Sequence, residues 1–360
     1  MEKMEELNIK IDESLSSEAL KYTEFKDVPI FALTIISVSN LKFNLNLMYQ
    51  YLPFTDYVVV KKKRGRKKKV ETVNPNQHIP PGSIISIRDK TNVRGSILKE
   101  SKKDKKTYFL NSIAIVMILE NGKKVNSKIS QNGKFQITGC KNIEQCIEMI
   151  RYLFKHIREI EVQTGQSMFS LKYGSKSTNR NPTFVFKIVM KNIYFKLDFN
   201  INREKLNQHI NDNTDYCSSF EIGIDTGVNI KVKSKQPYEN ELDSIEILPD
   251  LTINRSIVPF QYYNSFLDEK EQKKEIKKES YHTFLVFHSG SIIQSGSGPD
   301  MGNVYNKFIS ILLSDKKHFE EILNIDNKQD IEKMQTVYNL KPGRKKITRN
   351  KNELDLSKDK

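Results

Sequence analysis

Asn132-Gly133-Lys134-Phe135-Gln136-Ile137-Thr138-Gly139-Cys140-Lys141 joins a turn and a strand to the start of a long helix within ten residues. Asn-Gly predicts a tight hairpin turn of type I′, in which both central residues take positive φ. Lys134–Thr138 then reads as a short strand, and period-two alternation sets Lys134, Gln136 and Thr138 on one face. Gly139 lets the backbone turn, and Asn142 with Gln145 three residues later forms a capping box. Ile143, Ile147, Ile150, Phe154 and Ile157 follow at helical spacing, so one apolar stripe of a long helix packs on the sheet. A weaker copy lies downstream in Ser289-Gly290-Ser291-Ile292-Ile293-Gln294-Ser295-Gly296, followed by a helix patterned on Met301, Val304, Tyr305, Phe308 and Leu312. Gly290 and Gly296 repeat the spacing of Gly133 and Gly139, which points to an internal duplication.

Outward from these two signatures, a chain of 360 residues holds about two domains of ordinary size. It carries 59 Lys+Arg against 44 Asp+Glu, a formal charge of +15. That balance favours a polyanionic partner, although charge alone supplies only nonspecific attraction to phosphates. The three cysteines, Cys140, Cys146 and Cys217, form neither a metal spacing nor a disulfide framework, and fit a reducing compartment. The six histidines show no ligand spacing, no acid/base pair or phosphate loop stands out, and no apolar run approaches a membrane span. The reading is an intracellular protein that is not an enzyme and needs no cofactor or metal.

Residues 1–24, with seven acidic and three basic side chains, read as an acidic disordered tail. The first repeat spans 25–162. Within it Pro29–Val38 is a strand, Leu45, Met48, Tyr49 and Leu52 mark a short helix, and Ser83–Arg88, Tyr108–Glu120 and Lys124–Ser130 are strands. Tyr57–Val60 reads as a strand leading into the basic insertion 61–69. There eight of nine residues are basic: Lys61, Lys62, Lys63, Arg64, Arg66, Lys67, Lys68 and Lys69. This run fits a solvated tip, a nuclear localisation signal or a nonspecific phosphate clamp. An AT-hook through Arg64-Gly65-Arg66 lacks its usual proline, which is Lys67 here. Residues 163–182 read as a linker. The second repeat, 183–325, restarts with a strand over Thr183–Phe199, a helix over Asn202–Ile210 and strands over Ser218–Ile224, Val228–Lys233 and Thr283–Phe287. Its insertion, 235–280, contains an irregular Pro237–Tyr263 and a Lys/Glu-rich Glu269–Glu279 that reads as solvated. Residues 326–360 form a polar basic tail.

Lys134–Lys141, with Leu285-Val286-Phe287-His288-Ser289-Gly290, resembles the signature of the TATA-box-binding protein (TBP) family: a strand ending in Phe, a Ser-Gly turn, and a strand closing on Thr-Gly-Ala-Lys before a long helix. Lys191-Asn192-Ile193 is similar to that family's Gln-Asn-Ile. The Asn/Lys-rich style and basic insertions look like the divergent versions carried by large cytoplasmic DNA viruses. The resemblance implies an α+β fold, a pseudo-twofold saddle made of two repeats of curved antiparallel sheet with helices on the convex face. It also implies minor-groove binding through the concave face, for which this family is itself the standard example. The implied DNA contacts are Lys134, Gln136, Thr138 and Lys141 from the first repeat, and Asn192, Tyr194, Phe287, Ile293 and Ser295 from the second. Phe287 would be an apolar wedge. The departures are Ser130 where the first wedge is expected, Ala32 or Thr34 where an Asn is expected, and Ser291 and Gly298 in place of lysines. Phe220 is a candidate for a further wedge.

The implied function is a transcription initiation factor that binds A+T-rich promoter duplex as a monomer and recruits general transcription factors or RNA polymerase. It would act in a viral factory in the host cytoplasm, or in the nucleus if the protein is cellular. The rival reading is a docking subunit of a transcription complex with nonspecific DNA binding or none. Without the family register, Phe287 reads as ordinary core and Thr138 as an ordinary strand residue.

Overall fold

A computed structural model of the chain describes residues 23–59, 75–98, 111–172, 180–221, 226–236 and 239–321. The basic run Lys61–Lys69, residues 1–22 and 322–360 at the two ends, and 173–179 of the candidate linker lie outside the described residues.

The first half follows the hydrophobic pattern. β1 (Ile30–Ser39) and β2 (Leu41–Phe43) lead into α1 (Leu45–Tyr51), then β3 (Ile84–Asp89), β4 (Asn92–Gly95), β5 (Ser112–Ile118), β6 (Lys124–Ser130), β7 (Phe135–Cys140) and α2 (Ile143–Thr164). The described part of Tyr57–Val60 is not a strand. Its backbone is held instead by the Ser96 hydroxyl, which bonds both the N–H and the carbonyl of Tyr57. After β8 (Phe169–Leu171), the second half runs through β9 (Thr183–Lys196), α3 (Arg203–Asn213), β10 (Cys217–Ser219), β11 (Val228–Lys233), β12 (Glu241–Ile247) and β13 (Ile253–Pro259). It continues with α4 (Phe260–Ser265), α5 (Glu269–Ile276), β14 (Tyr281–Val286), β15 (Ser291–Gly296), α6 (Met301–Ser314) and α7 (Lys316–Phe319). β8 pairs with β2, so the candidate linker carries a strand of its own.

One large antiparallel sheet runs in the order β10-β11-β14-β15-β9-β1-β7-β6-β5-β3-β4. Chain order explains this arrangement. The first strand of each half (β1, β9) sits at the centre, and the signature hairpin of each half (β6–β7, β14–β15) pairs its last strand with it. β1 and β9 are joined along most of their length, with register shifts at Ile30/Ala32 and Thr34/Ile35.

Helices α1, α2, α3 and α6 cover one face over two apolar cores. The first gathers Leu33, Ile35, Phe135 and Ile137 of the sheet under Ile150, Leu153 and Phe154 of α2. The second gathers Ile193, Phe284, Val286 and Ile292 under Leu206 of α3 and Phe308 of α6, where Phe284 and Phe308 stack at 3.9 Å between ring centroids. Burying each such side chain contributes roughly 1.5–3 kcal/mol, so these faces fix which side of every strand is left for other work.

α2 begins as the sequence demands, with one shift of partner. Asn142 Oδ1 accepts from the Gln145 N–H at 3.1 Å, while Gln145 Oε1 accepts from Lys141 N–H at 2.7 Å, one residue earlier than a capping box requires. The signature turn is not type I′. Gly133 has φ 74° while Asn132 does not share the positive region, and Ser130 and Lys134 close a three-residue loop through Ser130 N–H to Lys134 O at 2.9 Å. That is a type I turn followed by a left-handed glycine. Phe287–Ser291 closes identically, Gly290 taking φ 75°.

Candidate nucleic-acid interface

On the face opposite α2 and α6, alternation brings the candidates of both halves together. Thr138 pairs across to Thr34 of β1 and Asn126 of β6, and Gln136 to Ile36 and Lys128. In the second half Ser295 lies between Asn192 and Thr283, and Ile293 between Tyr194 and Leu285. Asn192 also pairs with Ala32, which carries the row across the junction between halves. Asn126 and Thr283 were not singled out from the sequence, and Ala32 and Thr34 were noted only where an Asn is expected. Their place on this face becomes readable only once the pairing register is known.

Local contacts fix what each side chain can offer. Thr138 Oγ1 donates to Asn126 O at 3.4 Å. The Tyr194 hydroxyl lies 3.2 Å from Ser291 Oγ, and the residue is 47% exposed. Asn192 Oδ1 is buried without a hydrogen-bond partner, a costly arrangement for an amide oxygen. Phe287 is half-buried at the hairpin tip and Lys141 is exposed beyond β7. Met190 and Tyr281 are 43% and 44% exposed, so this side of the second half presents apolar and aromatic surface. Phe220 packs at the margin of the second core beside Arg203, whose guanidinium lies 5.0 Å from its ring centroid.

The first half of the same face is covered in two places. Near the outer edge, Tyr57 and Leu98 pack on Ile79, Ile85 and Ile118. At the hairpin tip the cover comes from the other half. Pro237–Tyr263 is not irregular: Glu241–Ile247 and Ile253–Pro259 form a hairpin whose β12 also pairs with β9, and α4 follows directly. Leu242, Phe260, Tyr263 and Leu267 bury Val38 and Val185 of the sheet. Nor is Glu269–Glu279 wholly solvated. Glu271 of α5 accepts from Lys134 Nζ at 3.1 Å, and Glu275 pairs with Lys187 of β9.

Lys187 is almost completely buried, with its ammonium 5.2 Å from the Phe260 ring centroid and 5.5 Å from that of Tyr263. Burial pushes the Lys187 ammonium down from its ordinary range, against the hydrogen bond and charge of Glu275. Burial pushes the Glu275 carboxyl up, but the Lys187 hydrogen bond and the charges of Lys187, Lys278 and Lys134 outweigh it and hold it below the usual range. The Lys187–Glu275 contact thus opposes the burial that disfavours both charges.

At the far end of β14, His282 is fully buried and its Nε2 lies 3.0 Å from Asp300 Oδ1. Asp300 also accepts from the Ser234 hydroxyl and the Lys235 N–H. Burial pushes the Asp300 carboxyl up, and these donors bring it below its ordinary value. Asp300 therefore braces the sheet instead of capping α6. Gly296 is needed there for closeness: a Cβ would lie 2.2 Å from His282 Nδ1. Among the described residues no group of His, Cys, Asp and Glu is placed to hold a metal, and no helix is long and apolar enough to cross a membrane.

The architecture is mixed α/β built on a large antiparallel sheet. No family profile matches the chain. An uncharacterised protein, 335L, of Invertebrate iridescent virus 6 is 26% identical over 226 residues, covering 60% of this chain and 62% of that protein. A TATA-box-binding protein-like protein of Acanthamoeba polyphaga mimivirus is 32% identical over 115 residues, 31% of this chain and 30% of that protein. Among solved structures, the TBP of Methanococcus jannaschii aligns over 81% of this chain and 98% of its own, with a TM-score of 0.38 and 12% identity. The matches thus span under two thirds of either viral relative. Over the matched segment the chain is similar to a TBP-like viral protein.

Proposed function

We propose that this protein is a TBP-like transcription initiation factor that binds A+T-rich promoter duplex in the minor groove through the open face of a saddle-shaped, pseudo-twofold sheet. One observation carries the reading: candidates from both halves share one face of a single sheet, opposite the helices, across the β1–β9 junction. The pseudo-twofold is supported by the strand order, which runs outward from that junction through corresponding strands on either side. The minor groove offers mostly degenerate acceptors, so a broad apolar surface with a few hydroxyl and amide donors suits it. Tyr194, Phe287 and Ile293 supply the surface; Gln136, Thr138, Asn192 and Ser295 supply the polar contacts. Lys134 and Lys141 are basic, with Lys134 already paired to Glu271. The basic run Lys61–Lys69 adds nonspecific phosphate attraction. The helical face is left for general transcription factors or polymerase, with one protein molecule per site. A viral factory in the host cytoplasm is the setting the viral relatives favour.

The rival, a docking subunit with little specific DNA binding, draws on Ser130 at the first hairpin tip and on the cover that α4 and α5 lay over the neighbouring face. The discriminating experiment compares binding to an A·T-rich and a G·C-rich duplex of equal length at near-physiological salt. On the initiation-factor reading the A·T duplex is preferred, and Phe287→Ala and Tyr194→Ala each lose most of that preference. Equal, steeply salt-dependent binding that disappears only when 61–69 is deleted would favour the docking subunit.

A further inference from the structure

The Lys/Glu-rich segment resolves into a helix with two chemically different sides. Glu271 and Glu275, four residues apart, turn toward the sheet, where they meet Lys134 and Lys187. Lys270, Lys273, Lys274 and Lys277 are all exposed. At 3.6 residues per turn, Lys270, Lys273 and Lys277 fall on the side directed away from the two carboxylates, with Lys274 flanking them.

This arrangement has a cost that simple solvation does not explain. A mixed charge run needs no partner to stay in water, yet here one side is spent neutralising a buried lysine. The helix is also held firmly. Asp268 caps it by accepting from the Glu271 N–H at 2.8 Å, and the preceding turn is anchored by the buried Phe260, Tyr263 and Leu267. A lid poised to leave would not carry a buried ion pair and an apolar cluster beneath it. α5 is a fixed part of the open side of the molecule, and it covers the sheet where Lys134 would otherwise meet a ligand.

We propose that the outward lysines of α5 form a phosphate-contacting ridge for the same duplex, replacing the covered part of the sheet. This rests on the reading of the open face as a DNA-binding surface and deepens it. The commitment to duplex DNA follows from charge complementarity: exposed ammonium groups one turn apart on a single side of a fixed helix match the charges along a phosphate strand. The ridge adds salt-dependent affinity and no sequence preference.

The test is the quadruple variant K270Q/K273Q/K274Q/K277Q of the full chain, in which exposed lysines become another good helix former and the fold is untouched. Binding to the A·T-rich duplex is measured across a salt series beside wild type, Phe287→Ala and Tyr194→Ala. The expected result is a salt slope flatter by about 2–3 units, from about 0.9 unit per lost phosphate contact, with an unchanged ratio of A·T to G·C affinity. An unchanged slope, with the two sheet variants weakened, overturns the ridge and leaves the sheet reading standing. A flattened slope with sheet variants that bind like wild type supports the ridge and overturns the sheet reading. Four proteins that bind alike overturn both.

Discussion

The two signature hairpins close with the same backbone and end in opposite surroundings. Ser130–Lys134 and Phe287–Ser291 are both three-residue loops with a left-handed glycine. Yet Lys134 is held by Glu271 beneath α5, while Phe287 is half-buried at the other tip, where the Tyr194 hydroxyl meets Ser291 Oγ. The two tips close alike, and the segment between β11 and β14 reaches across the sheet to cover the one lacking an aromatic. The asymmetry therefore lies in what covers the face, and the backbone of the two hairpins stays alike. The open side thus presents apolar and aromatic surface on the second half, while Lys134 at the first tip is already paired with Glu271.

The largest expected effect comes from breaking the covered end. Glu275→Ala leaves the buried Lys187 ammonium without its carboxylate, and should destabilise the fold by roughly 3 kcal/mol in denaturant unfolding, as removal of one partner from a buried pair does. Recovery of much of that loss in Lys187→Met/Glu275→Ala would separate the unpaired charge from the pair's own contribution. At the opposite end, Gly296→Ala forces a methyl group against the buried His282 ring and should cost about 2 kcal/mol by the same measurement, in the range of other overpacked sites.

The covered end should also respond to acid. Glu275 in the folded chain is held below its ordinary value of 4.5, so its contribution is complete above that pH and is lost as pH falls through the lower, folded value. Amide exchange of β12 and α5 should accelerate there before that of β5 and β6, and Glu275→Gln should remove the difference. The smallest effect sharpens the comparison most. Ser130→Phe restores an aromatic to the first tip, and because that neighbourhood is covered, A·T-duplex affinity should stay within about twofold of wild type, well under the 1.4 kcal/mol that a tenfold change represents. A large gain would mean that the first tip is open to DNA after all.

Much of the sheet was legible because alternation and capping are local. Phe135 and Ile137 point into the core while Gln136 and Thr138 point out, and Asn142 caps α2, as their spacing requires. The turn type was misjudged because Asn-Gly satisfies two geometries. Asn sits equally well at the third position of a type I turn, with glycine following in the left-handed region. The β12–β13 hairpin was missed for a different reason. Its loop, closed by Leu248 N–H to Thr252 O at 2.9 Å, puts Leu251 at φ 67° where glycine or asparagine would have announced it. The charged helix α5 was misread because its partners, Lys134 and Lys187, lie 137 and 88 residues away in the chain, beyond any local pattern. Half of the candidate face could thus be read from period-two alternation. Which half is covered could not, since that depends on a tertiary contact between an insertion and a distant strand.

The most direct measurement is hydroxyl-radical footprinting of the protein's own side chains, with and without an A·T-rich duplex at near-physiological salt. Met190, Tyr194 and Tyr281 are exposed on the open side of the second half, while Val162, 86% exposed, lies on α2 across the sheet. Duplex bound on the open side should protect Met190, Tyr194 and Tyr281 and leave Val162 as reactive as before. Protection of Val162 with unchanged reactivity at the other three would contradict that placement, and would put the nucleic acid on the helices.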